Sequence, residues 1–211
     1  MAPLKINRLA LLLVFAGLFG AVGQAQTSEV SSMKTLHGYI LIWNKPNNYF
    51  TIEITGKDIK PGDTAFVSFD VDGRFLQIQS LPNSNFLGQT KVDRGDGWAI
   101  LAAHRDWESA YIEQNLKQKL KIESSKIKLA DGKPGLMWSY EMPPGFGGSV
   151  KKQLYLTTLN GENVILLNSV VSNDGSSAEI EKFLLDIVST FNPSLVPVDV
   201  MKLREKVLNE K

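Results

Sequence analysis

Apolar and polar residues alternate in short runs over most of this chain, and recur at helical spacing in two places. Period-two alternation puts successive side chains on opposite faces of a strand, whereas a 3.6-residue period paints one side of a helix. His37 to Trp43 and Tyr49 to Thr55 are β-branched and aromatic runs parted by the turn-rich Asn44-Lys45-Pro46-Asn47-Asn48, and predict two strands. Thr64 to Phe69 and Arg74 to Ser80 flank Asp70-Val71-Asp72-Gly73, a hairpin signal. Residues 82–97, rich in Asn, Gly and Asp, predict a surface loop.

Beyond that loop, Ala99 to Ile122 carries the longer helical pattern. At roughly 100° per residue, Ile100, Ala103, Trp107, Ala110 and Tyr111 fall together on an apolar face with Arg105 nearly opposite. Lys126 to Ala130 and Leu136 to Met142 follow, joined by Asp131-Gly132-Lys133-Pro134-Gly135; in the second strand Leu136, Trp138, Tyr140 and Met142 share one face, and Met137, Ser139 and Glu141 the other. PPGFGGS, residues 143–149, breaks the sheet before Gln153 to Leu159 and Val164 to Val171. Val164-Ile165-Leu166-Leu167 is apolar on both faces, the mark of a central strand covered on both sides. Ala178 to Phe191 repeats Ile180, Leu184, Ile187, Val188 and Phe191 at helical spacing behind a capping Ser176 or Ser177. The pattern predicts an α+β domain: an antiparallel β-sheet with one long central helix and a C-terminal helix packed on it, sandwich-like in its α/β/α layering.

The N-terminus changes the picture of where this domain works. Lys5 and Arg8 precede an apolar run from Leu9 to Val22, and Gly23 and Ala25 suit a cleavage site before Gln26. The run is shorter than the roughly 20 residues a bilayer span needs, so it is expected to act as a cleaved secretory signal and not as an anchor. The expected organisation is a signal peptide over 1–25, a linker over 26–35, a single domain over 36–192 and a tail over 193–211 with room for one short helix. Removing the signal takes two of the 23 basic residues and none of the 22 acidic ones, leaving 21 against 22. No basic surplus remains to grip nucleic acid. The chain has no cysteine, hence no disulfide, thiol nucleophile or thiolate metal site, which leans toward a bacterial periplasmic or secreted protein stabilised by its core alone.

Candidate chemistry gathers in the long helix. His104-Arg105-Asp106 spells the opening of a kinase catalytic loop, but the asparagine that loop requires is Tyr111 here, and no glycine-rich nucleotide loop accompanies it. On a helix His104 and Asp106 lie roughly 160° apart and do not form a dyad. His104 and Glu108, one turn apart, share a flank and are the candidate pair for ligand contact; as metal ligands they lack a third. Gly145 to Lys152 lacks the Gly-Lys-Ser/Thr ending of a phosphate loop, and Arg94-Gly95-Asp96 has no adhesive context. Trp43, Trp98, Trp107 and Trp138 with Tyr111 and Tyr140 are candidates for core packing or an aromatic cleft, and Trp98 stands at the junction of loop and helix.

Taken with Asn48-Tyr49-Phe50-Thr51-Ile52 and the closing Ser189-Thr190-Phe191, the order of elements over roughly residues 36–192 resembles the PsbP-like α/β/α sandwich, a family that includes extrinsic photosystem subunits and bacterial exported proteins. The segment 56–97 departs from that pattern. The resemblance implies a mostly non-enzymatic protein and brings no catalytic residue with it. The expectation is an exported, non-catalytic accessory or binding protein without cofactor or metal, its partner an envelope protein or a small ligand. Trp98, His104, Glu108, Tyr111 and Phe146 are its candidate contact residues. The alternatives are a periplasmic hydrolase using His104 and Glu108 with Asp93 or Asp96, and a small-ligand carrier with an aromatic cleft.

Overall fold

The computed structural model describes residues 29–62, 67–88 and 92–209. The expected signal over 1–25 lies outside the described residues. Among the described residues, eleven strands fall into two antiparallel sheets. The smaller contains β1 (Val30–Lys34), β2 (Gly38–Lys45), β3 (Asn48–Thr55) and β11 (Asn192–Ser194), in that order. The larger runs β4 (Ile59–Pro61), β5 (Ser68–Val71), β6 (Arg74–Pro82), β10 (Asn163–Ser172), β9 (Val150–Asn160), β8 (Pro134–Glu141), β7 (Glu123–Lys128). Four described helices complete the fold: α1 (Ser84–Leu87), α2 (Gly97–Leu116), α3 (Ser177–Ser189) and α4 (Val200–Asn209).

The central strand expected at Val164-Ile165-Leu166-Leu167 is β10, seated between β6 and β9. Its pleat feeds two cores. Ile165 and Leu167 join Leu76, Ile78, Leu154 and Leu156 against α3 and the inner face of β2 and β3. Val164 and Leu166 join Trp138, Tyr140 and Tyr155 against α2 and α1. The layers are therefore α2, large sheet, then α3 with the small sheet. At the end of α3 the hydroxyl of Thr190 accepts the Glu53 N–H at 2.9 Å while Phe191 enters the core, which gives the Ser-Thr-Phe ending its structural role.

Three boundaries need correction. The linker expected over 26–35 contains a strand: Val30–Lys34 pairs antiparallel with β2, Val30 opposite Trp43 and Lys34 opposite Tyr39. Ser32 and Lys34 are exposed, as side chains of an edge strand can be, and only Val30 and Met33 of its five residues are apolar, which disguised it as a polar linker. The long helix stops at Leu116 and not at Ile122, because Lys117 turns left-handed (φ 54°) and its N–H closes on Glu113 O. Leu120 and Ile122 pack on the same core from beyond the helix, so their apolar period continued past its end. The domain does not finish at 192 either: Pro193 lies opposite Phe50 in β11, and Val198 is fastened to the Asn44 side chain by two hydrogen bonds, N–H to Oδ1 at 2.8 Å and Nδ2 to O at 3.0 Å. The loop expected over 82–97 holds α1, whose Phe86 and Leu87 are buried. Among the described residues no helix is long and apolar enough to cross a membrane.

Candidate functional site

α2 starts at Gly97 because Asp96 caps it, the carboxylate accepting the N–H groups of Trp98 at 2.9 Å and Ala99 at 3.3 Å. The face it buries consists of Ile100, Leu101, His104, Glu108, Ser109, Ile112 and Leu116. This overturns the apolar face read from the sequence. Trp107 and Tyr111 lie half-buried on a flank, and the helix is turned by roughly 100° at 100° per residue so that polar residues occupy the middle of the interface. Aliphatic pairs at each end, Ile100 with Leu101 and Ile112 with Leu116, hold it down.

The sheet beneath is polar to match. Pleat alternation and register carry Gln153, Tyr155 and Thr157 of β9, Asn168 of β10 and Gln77 and Gln79 of β6 to the α2 side. Part of this layer is satisfied: Asn168 Nδ2 donates to Gln153 Oε1 at 3.1 Å and to Leu154 O at 3.0 Å, Tyr155 O–H reaches Gln153 Oε1 at 3.4 Å, and Thr157 Oγ1 donates to Leu136 O at 3.2 Å. The other part is not. Eight buried side-chain polar atoms lack a hydrogen-bond partner among the described residues: both ring nitrogens of His104, Glu108 Oε1, Trp138 Nε1, Tyr140 O–H, Gln79 Nε2, Asn83 Oδ1 and Trp43 Nε1. All but the last belong to the α2 side, Asn83 by standing at the head of α1.

His104 is 0% exposed, its ring set 5.3 Å edge-on from Phe86 and 6.1 Å from Trp107. Burial holds its pKa down to about 4, so the ring is neutral at pH 7. Glu108 is 2% exposed, and burial pushes its pKa up to about 7. The two share a flank one turn apart and form no hydrogen bond. Tyr140 is raised to about 12, by burial first, with the Tyr155 contact acting against the rise and Glu108 adding to it; Tyr155 is raised by burial and then by Tyr140 and Glu108. Trp138 stacks on Tyr155 with centroids 3.8 Å apart. Glu108 and the two tyrosines thus form one electrostatic neighbourhood at the interface.

No protein-family model matches the chain, and no curated protein matches it. In structure it is similar to cyanobacterial PsbP (CyanoP) from Synechocystis sp. PCC 6803, with a TM-score of 0.44 at 12% identity over 84% of this chain and 100% of that chain. That likeness transfers no residue's role.

The other residues singled out in the sequence are dispersed. Trp98 is half-buried at the second position of α2, where its indole N–H is shared between Ile127 O and Gly135 O at 3.2 Å each, beneath the Lys126 ammonium 5.8 Å from the ring. It fastens the helix to β7 and β8. Asp96 is occupied as the cap and Asp93 closes a turn by accepting Gly95 N–H at 2.8 Å, so neither converges on His104. Asp106 faces solvent and pairs with Arg105 at 2.6 Å. Phe146, 38% exposed, is on the loop between β8 and β9, which borders a groove of about 270 Å³ lined by Met142, Pro143, Gly147, Lys151 and Asn173, apart from the α2 interface. Tyr155, Gln153, Asn168 and Gln79 were not foreseen as site residues, although polar residues spaced by two within apolar strands are the available signal.

Proposed function

We propose that this protein is an exported accessory domain of the bacterial envelope that binds rather than catalyses. The observation that carries the reading is the state of His104. A general base or acid needs an oriented tautomer, a partner on its far nitrogen and contact with the reacting group. Both nitrogens of His104 are unpartnered, its ring is sealed between Phe86 and Trp107, and the carboxylates that would complete a hydrolytic site are engaged elsewhere. The basic and apolar pattern of residues 5–22 and the absence of cysteine support export.

The test has two arms. Fractionation of cells expressing the full chain, with N-terminal sequencing, is expected to recover protein beginning at Gln26 outside the cytoplasm; full-length protein held in the cytoplasm would refute export. A panel of chromogenic ester, phosphate and glycoside substrates is expected to show no turnover above the blank. Turnover that His104→Gln abolishes while the melting temperature stays put would replace this reading with the hydrolase.

A further inference from the structure

The large apolar side chains left in solvent are concentrated at one place on this molecule. Of the eight exposed among the described residues, five fall between 195 and 208: Leu195, Val196, Val200, Met201 and Leu208. Single exposed apolar residues are ordinary, whereas a cluster on one stretch marks a contact surface. Local bonds hold this cluster outward. Ser194 Oγ donates to Val196 O at 2.6 Å and accepts the Val196 N–H at 3.2 Å, which sets Leu195, 100% exposed, at the tip of a closed turn between Pro193 and Pro197. Asn44 clamps Val198 through its N–H and its carbonyl, and Asp199 caps α4 by accepting the Lys202 N–H at 3.0 Å. α4 itself has ten residues and none of them is buried. A helix that short is marginal in water and relies on packing one face against something.

We propose that α4 and the Leu195 turn form a docking surface for an anionic phospholipid membrane, with α4 lying flat on it. The choice of occupant follows from Arg204. At 100° per residue Val200, Met201, Arg204 and Leu208 form one exposed strip, roughly a quarter turn from half-buried Leu203 and Val207. Arg204 therefore stands among apolar side chains, Val200 and Leu208 one turn to either side, and has no hydrogen bond or ion pair among the described residues. A guanidinium framed by hydrocarbon calls for an acceptor that itself stands over hydrocarbon. A phosphodiester headgroup above acyl chains has that arrangement: the guanidinium takes the phosphate with paired hydrogen bonds while its stem stays in the apolar layer. Lys202 adds positive charge beside the strip, and Glu205 is the one acidic residue of α4. An apolar arc with a basic flank is the pattern of a helix that lies in a membrane interface. A second copy of the chain fits poorly, because Arg204 is at the centre of the strip and the antiparallel pairing of a twofold would set it against its own counterpart. The proposal goes beyond the binding reading above: it rests on different residues, and a cytoplasmic chain would meet an anionic leaflet as an exported one does.

The chain has no cysteine, so a single substituted cysteine carries a nitroxide at one chosen place. Leu195→Cys and Met201→Cys place it on the surface, and Leu36→Cys, at a residue 65% exposed beyond the opposite end of β2 from Asn44, places it elsewhere. Electron paramagnetic resonance then reads the depth of each label in the full chain mixed with vesicles of equal parts phosphatidylglycerol and phosphatidylcholine. The labels at 195 and 201 are expected to pass from water to the hydrocarbon boundary while the label at 36 stays in water, and with pure phosphatidylcholine all three are expected to stay in water. Reading depth site by site keeps the result clear of the apolar run over 9–22, whose insertion alone would leave 195 and 201 in water. Followed through the label at 201, Leu195→Ser is expected to raise the lipid concentration needed for half-transfer about ten-fold, the effect of withdrawing a leucine from apolar contact. Arg204→Gln is expected to raise it about five-fold. Both side chains are exposed, so the melting temperature is expected to stay put in each variant. The proposal is overturned if the labels at 195 and 201 stay in water, if all three sites insert alike, or if pure phosphatidylcholine takes up 195 and 201 as readily. It is equally overturned if these labels become immobilised without vesicles as protein concentration rises, which would make a second copy the occupant. Failure here leaves the export and turnover tests standing, and failed export leaves the vesicle result standing.

Discussion

The two faces of the large sheet use the same strands and reach opposite solutions. On one, α3 presses Ile180, Phe183, Leu184, Ile187 and Val188 onto aliphatic residues of β6, β9 and β10, and the small sheet completes a continuous apolar core. On the other, α2 brings His104, Glu108 and Ser109 down onto a layer containing Gln, Asn, Thr and Tyr. The first interface is stabilised by burying apolar area, a term that is non-directional and tolerant. The second relies on hydrogen bonds that must be individually met, and several are not met by protein atoms. The two faces thereby reach their packing by different routes within one domain: α3 and the small sheet by apolar burial, α2 by an interface with a polar middle between aliphatic ends.

The largest effects test the α3 side. Leu184 is fully buried there, and Leu184→Ala is expected to cost about 2–5 kcal/mol, read as a lower midpoint in denaturant. Glu108→Leu removes a buried carboxyl whose Oε1 has no hydrogen-bond partner among the described residues and is expected to raise stability by about 1–3 kcal/mol. If both substitutions destabilise alike, the two faces are energetically equivalent and the contrast fails.

The pH dependence sharpens the contrast further. Glu108 is held above the unfolded value, 4.5 to about 7, so its contribution is fully present below pH 4.5 and is lost as pH rises toward 7. His104 is held below its unfolded value, 6.5 to about 4, so its contribution is fully present above pH 6.5 and is lost as pH falls toward 4. Between about 4.5 and 6.5 the folded chain keeps a proton on Glu108 and none on His104, while the unfolded chain does the reverse. The proton counts match, and these two groups leave stability flat in that window. Glu108→Gln unmasks the histidine, and stability is expected to fall by about 3 kcal/mol as pH drops from 6.5 to 4. His104→Gln unmasks the glutamate, and a loss of the same size is expected as pH rises from 4.5 to 7. Tyr140 and Tyr155 stay neutral throughout this range. Identical profiles for the two variants would show that the pair does not titrate as described.

The α3 side was legible in the sequence because its physics is local and periodic. Ile180, Leu184, Ile187, Val188 and Phe191 announce the helix, and Val164 to Leu167 announce the strand it covers. The α2 side misled for the same reason. Ranking by apolarity turns Trp107 and Tyr111 inward, whereas the helix is oriented by its aliphatic ends and by the Trp98 anchor, and the polar layer opposite is assembled from strands far apart in the sequence. Asn168 meets Gln153 across a hairpin, and Gln79 arrives from β6. His104 and Glu108 were visible as a flank pair, but that they face a polar sheet depends on register, which no single segment contains. The edge strand β1 was hidden by its polar Ser31, Ser32 and Lys34, and β11 by a proline, which an edge strand tolerates.

The smallest effect bears on how α2 is hinged. Gly97 opens the helix against the sheet so tightly that a β-carbon there would stand 2.6 Å from Pro134 Cγ, and the Trp98 N–H bridges to β7 and β8 one residue later. If the polar middle of α2 contributes little adhesion, this end fastening governs how readily the helix lifts. Trp98→Phe keeps the ring in place and deletes the bridge, and is expected to cost about 1 kcal/mol. The loss should show as faster amide hydrogen exchange across α2, with α3 unchanged. Exchange confined to residues 97–100 would mean that α2 frays at its tip and stays seated beyond it. Acceleration through His104 and Glu108 would mean that the helix opens from its anchored end as a unit, uncovering the buried polar groups together.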